Sequence, residues 1–91
     1  MKKQVIIKIY GQVQGVAFRY YTQDVARKLN LVGWVRNEGD GSVTIVAAGE
    51  KDKLKKFIDW CHNGPSIARI DKVEVKWMEP EAAFDDFSIR Y

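Results

Sequence analysis

Apolar residues in this chain switch repeatedly between every second position and every third or fourth, and that alternation limits the folds open to it. Val5, Ile7 and Ile9 share one side of a period-two segment with Lys8 and Tyr10 opposite, the pattern of a half-buried strand. Gly11 and Gly15 bracket a turn-prone stretch, after which Phe18, Tyr21, Val25 and Leu29 recur at helical spacing and Asn30 supplies a left-handed stop. Val32 to Asn37 reads as a second strand, and Glu38, Gly39, Asp40 and Gly41 form a tight hairpin into a third strand carrying Val43, Ile45 and Ala47. Leu54, Phe57, Ile58 and Cys61 mark a second helix that Asn63, Gly64 and Pro65 end. Val73, Val75 and Trp77 alternate with Glu74 and Lys76, Ile70 leads into them, and Pro80 lies in the linker that follows. Phe87, Ile89 and Tyr91 then alternate in a short extra strand that covers or pairs with a sheet edge.

The order is βαββαβ plus that closing strand, a split βαβ arrangement with two helices on one face of an antiparallel-rich sheet. This is the α+β, ferredoxin-like sandwich. A length of 91 residues accommodates one core, so residues 1–91 are expected to form a single domain, and a hydrophobic share of 46% is that of a globular protein rather than a disordered one. No apolar run approaches the roughly 20 residues of a membrane-spanning helix, and no leader segment is expected. Cys61 is the only cysteine, which excludes an internal disulfide framework and fits a reducing cytoplasm. A monomer is the default for so small a domain. The net charge of +3 favours anions without choosing among them, and the cations are interleaved with acids rather than gathered into a nucleic-acid footprint.

Because many activities share this architecture, function has to be read from a site. The informative stretch is Gly11-Gln-Val-Gln-Gly-Val-Ala-Phe-Arg19, where a strand turns through glycines into a helix. Amides in the first turn of a helix have no intrahelical acceptors and sit at the positive end of its dipole, a ready anion site. Gly15 lets successive amides converge, and Arg19 emerges beside them with a planar fork suited to two phosphate oxygens.

Gly11, Val13 to Val16 and Phe18 to Arg19 resemble the signature loop of the acylphosphatase family. Gly33 to Asn37, followed by Asp40, Gly41 and Val43, resemble that family's second signature. The resemblance runs from the first strand to the closing Phe87 to Tyr91. It implies a metal-free, cofactor-free hydrolase that splits acyl phosphates into carboxylate and inorganic phosphate, the latter also a competitive inhibitor. Arg19 would bind the phosphate with the amides of Gln14, Gly15, Val16, Ala17 and Phe18 and its own, and Asn37 would orient water. At position 17 the family often has glycine; alanine resists positive φ, so Ala17 is expected in a right-handed conformation entering the helix.

The remaining conspicuous residues read as structural. His62 lies near the C-terminal end of the second helix, where a cation suits the dipole. Cys61 falls on the apolar stripe, and Trp34, Trp60 and Trp77 are expected to pack in or beside the core. Two other functions share the fold. An RNA-binding module would display aromatics on its central strands, and the third strand here has none. A non-catalytic anion sensor would keep the cradle without hydrolysis. No membrane or nucleic-acid partner is expected.

Overall fold

In the computed structural model, which describes residues 1–81 and 83–91, the elements are β1 (Lys2–Gln12), α1 (Phe18–Lys28), β2 (Val32–Asn37), β3 (Val43–Glu50), α2 (Lys51–Asn63), β4 (Arg69–Met78) and β5 (Phe87–Arg90). They form one sheet in the order β4-β1-β3-β2-β5. β1 pairs antiparallel with both β3 and β4, β2 pairs antiparallel with β3, and β5 runs parallel to β2. This is the ferredoxin-like order with one strand added at the edge.

One consequence of this topology positions everything that follows. β1 and β2 both oppose β3, so they point the same way, and β5 points with them. The C-terminal ends of three strands therefore meet at one end of the sheet. Ile9, Val43 and Asn37 lie in a single row across it.

Period-two spacing does what it predicts. Val5, Ile7, Ile9, Val35, Val43, Ile45 and Ala47 are all fully buried on the face that the helices cover, where they meet Ala26, Leu54, Phe57, Cys61 and Phe87. Phe57 packs on Trp60 at 6.2 Å and meets Phe87 edge-on at the same separation. Helix α1 differs from expectation in one respect: its buried line is Phe18, Thr22 and Ala26, while Tyr21 is 45% exposed. Thr22 tolerates burial because its hydroxyl donates to the Phe18 carbonyl at 2.9 Å, one turn back. Asn30 is left-handed at φ 58°, as a helix stop requires.

To reach β5 from β4, the chain must cross from one edge of the sheet to the other, and it does so over the face without helices. Glu81 N–H donates to Gln4 Oε1 at 3.0 Å there, leaving Gln4 buried. Three residues one helical turn apart on α1 then fasten β5 in place. Arg19 reaches the Arg90 carbonyl, Gln23 Nε2 donates to the Phe87 carbonyl at 2.9 Å, and Arg27 pairs with Asp86 at 2.7 Å. The closing strand thus both pairs with the edge and helps aim Arg19.

Candidate active site

Val13 and Phe18 are both 1% exposed, and between these two anchors the chain bends outward through Gln14, Gly15, Val16 and Ala17. Gly15 has φ 75° and Ala17 has φ 58°, so two left-handed residues flank Val16. Alternating left- and right-handed residues can turn neighbouring N–H groups toward one point. Among the described residues, none of the amides of residues 14–19 donates to another group of the protein. A Cβ built on Gly15 would meet nothing within 4 Å, so the space beside that residue is open.

Ala17 corrects the sequence expectation. It is not right-handed: it is the N-cap of α1 in the left-handed region, at φ 58° and ψ 23°. The cost of that handedness to an alanine is about 1–2 kcal/mol. Having no polar side chain, Ala17 also cannot cap the helix, and no acidic residue stands in the first turn. Both facts leave the first-turn amides without a side-chain partner.

Arg19 lies in the first turn of α1. Its Nη1 makes a long, 3.4 Å hydrogen bond to the Arg90 carbonyl, and its guanidinium lies 4.7 Å from the centre of the Tyr91 ring. Arg90 is the register partner of Arg36, the residue before Asn37. The guanidinium is thereby brought to the strand end that carries the asparagine. Asn37 has the parity of Val35 and so belongs to the helix-facing side. Its Oδ1 is buried and, among the described residues, has no hydrogen-bond partner. A buried carbonyl oxygen left unpaired is costly, and in a native protein it calls for a reason.

Gln14 has a part beyond its backbone amide. Its side chain points to the β2–β3 hairpin, where Nε2 donates to the Glu38 carbonyl at 2.7 Å and to the Ser42 carbonyl at 2.8 Å. Only its backbone N–H is available to an anion. The hairpin is itself tightly bonded: Asp40 accepts from both the hydroxyl and the amide of Ser42 and pairs with Lys8 at 3.4 Å. Those contacts, the Ser42 hydroxyl foremost, hold the Asp40 carboxyl down at about 2. Glu38 is also lowered, by the Thr44 hydroxyl and by Arg36.

The loop, Arg19 and Asn37 therefore gather at one end of the sheet. Gln14, Arg90 and Tyr91 were missed as contributors to their arrangement; no local pattern marks them, because each acts through residues remote in the chain. His62 lies in the last turn of α2 and Cys61 is fully buried, its thiol pushed up by that burial. Trp60 packs on Phe18 and Phe57, whereas Trp34 underlies the guanidinium groups of Arg36 and Arg90, and Trp77 is 40% exposed. Among the described residues, no three of His, Cys, Asp and Glu gather as a metal site would require.

Comparison with known proteins points one way. A family model described as Acylphosphatase matches residues 5–89. An acylphosphatase of Salinibacter ruber is 46% identical over 89 residues, covering 98% of this chain and 94% of that protein. One from Thermococcus kodakarensis is 51% identical over 75 residues, 82% of each. The crystal structure of acylphosphatase from Bacillus subtilis superposes with a TM-score of 0.94 at 37% identity, covering 100% of both chains.

Proposed function

The chain belongs to the acylphosphatase family, and from that premise we propose that Arg19 and the amides of residues 14–19 hold the phosphate of an acyl phosphate while Asn37 orients the attacking water. The observation that carries this reading is the buried, unpaired Oδ1 of Asn37 at the strand end to which Arg19 is brought. Substrate binding has to uncover that oxygen, which then takes a hydrogen bond from water and directs a lone pair along the line of attack.

Phosphoryl transfer asks mainly for positioning and for charge stabilisation on the equatorial oxygens. A guanidinium and converging amides supply the second. The leaving carboxylate needs no strong acid to protonate it, which suits a site built without histidine. In this reading the water's proton departs through the substrate phosphate, since the arginines of the two signatures are protonated and Asp40 is bonded to Ser42 and Lys8, which leaves neither signature a free general base. A cradle of amides and a guanidinium is cationic in character and repels metal ions, which supports metal-independent action with no cofactor.

The same proposal takes residues 1–91 as one domain, on the ground that both helices and the sheet share one core. It places the enzyme in the cytoplasm, in keeping with its single reduced thiol, and has it act as a monomer without nucleic-acid or membrane partners. On the open sheet face, Lys8, Lys72 and Arg36 are paired with Asp40, Glu74 and Glu38.

Benzoyl phosphate hydrolysis, followed by absorbance, tests the reading. The expected result is turnover that inorganic phosphate inhibits competitively and chelators leave intact. Phosphate binding without turnover would favour a sensor, and neither would remove the cradle from consideration.

A further inference from the structure

Gln14 adjoins Gly15 of the cradle in sequence, and its side chain is bonded not to the cradle but across the mouth of the hairpin that follows Asn37. Both hydrogens of Nε2 are used, one on the Glu38 carbonyl at 2.7 Å and one on the Ser42 carbonyl at 2.8 Å. Those carbonyls belong to the two limbs of the hairpin, which are themselves joined where Glu38 N–H donates to Ser42 O at 2.8 Å. One end of this bridge lies a residue from Gly15 and the other a residue from Asn37.

Each half is held independently of the bridge. Val13 and Phe18 anchor the loop in the core, and Asn37 is paired with Val43 in the sheet. What the bridge adds is the relation between the halves. In-line attack requires the water and the phosphorus at a set separation, and misplacement by about 1 Å can cost on the order of 100-fold in rate.

We propose that Gln14 is a positioning residue that sets the distance between the phosphate cradle and the water held by Asn37. This rests on the reading of Arg19 and Asn37 given above. Loss of the bridge lowers kcat and spares phosphate affinity, because the cradle's own amides and Arg19 are untouched.

Two variants test it. Gln14→Met keeps the length and removes both donors. Gln14→Glu keeps the shape but turns an ionised carboxylate toward two carbonyl oxygens; once protonated it regains one O–H donor. Benzoyl phosphate kinetics with phosphate as competitor, run from about pH 4 to 8, should show Gln14→Met losing about 10- to 100-fold in kcat with phosphate Ki within about twofold of wild type. Relative to wild type, Gln14→Glu should recover activity as pH falls, and Gln14→Met should not.

A Gln14→Met enzyme with wild-type kcat overturns the inference, as does an equal loss of kcat and phosphate affinity. Should Gln14→Met fail to fold, a folded Gln14→Glu without acid recovery overturns it equally, and failure of both to fold makes Gln14 a folding residue instead. A wild-type protein that does not hydrolyse benzoyl phosphate defeats the underlying functional reading before Gln14 is tested.

Discussion

The guanidinium of Arg19 lies 4.7 Å from the centre of the Tyr91 ring, stacked against a residue at the far end of the sequence. The contact holds a flexible cation over one side of the site, and its partner hydrogen bond to the Arg90 carbonyl fixes a second direction. A cation–π contact at an exposed position is worth about 0.5–1 kcal/mol. Tyr91→Leu is therefore expected to lower kcat/KM by roughly two- to fivefold, measured by steady-state hydrolysis of benzoyl phosphate.

Arg19 and Asn37 should separate cleanly in kinetics. Arg19→Ala is expected to lose phosphate binding and turnover together, because the same charge serves ground state and transition state. Asn37→Ala should lose about 100-fold or more in kcat with phosphate Ki nearly unchanged.

Asn37 also invites a stability measurement. Its Oδ1 is buried without a protein partner, so truncation removes a costly group rather than a bond. Thermal melting of Asn37→Ala should show a Tm equal to or above that of wild type. A marked fall would assign the side chain to the fold and not to the reaction.

Ala17 stores strain at φ 58°. Glycine would adopt that conformation freely and recover about 1–2 kcal/mol, less about 0.4–1 kcal/mol for its greater freedom when unfolded. Ala17→Gly should thus gain about 0.5–1 kcal/mol and raise Tm by roughly 2–8 °C, with phosphate binding retained.

The hairpin should respond to acid. The Asp40 carboxyl is held at about 2, below the ordinary 3.8, by the Ser42 hydroxyl, the Ser42 amide and Lys8. A depressed carboxyl contributes stability that is complete above its unfolded value and lost as pH falls through the folded one. Denaturant midpoints should fall between pH 3.8 and about 2, and Asp40→Ala should flatten that part of the profile.

Most of the architecture was legible because it rests on local spacing. Val5, Ile7 and Ile9 must share a face in any strand, and Leu54, Phe57 and Cys61 in any helix, so strand and helix order followed directly. Tyr21 was misplaced because a threonine with its hydroxyl bonded one turn back is buried as readily as an apolar residue. Arg19 and Asn37 were visible as members of two signatures, but their roles reach beyond either segment.

The sequence alone determined which residues of the strands and of α2 face the core, where the glycine turn enters the first helix, and which arginine opens that helix and which asparagine closes β2. Tertiary structure alone decided that β1, β2 and β5 point the same way, that Ala17 is left-handed, and that Gln14 spans from loop to hairpin. The first set depends on periodicity, a property of neighbours along the chain. The second depends on which distant segments lie side by side, since the loop turns its amides inward and Gln14 finds its acceptors only against the packed sheet and hairpin.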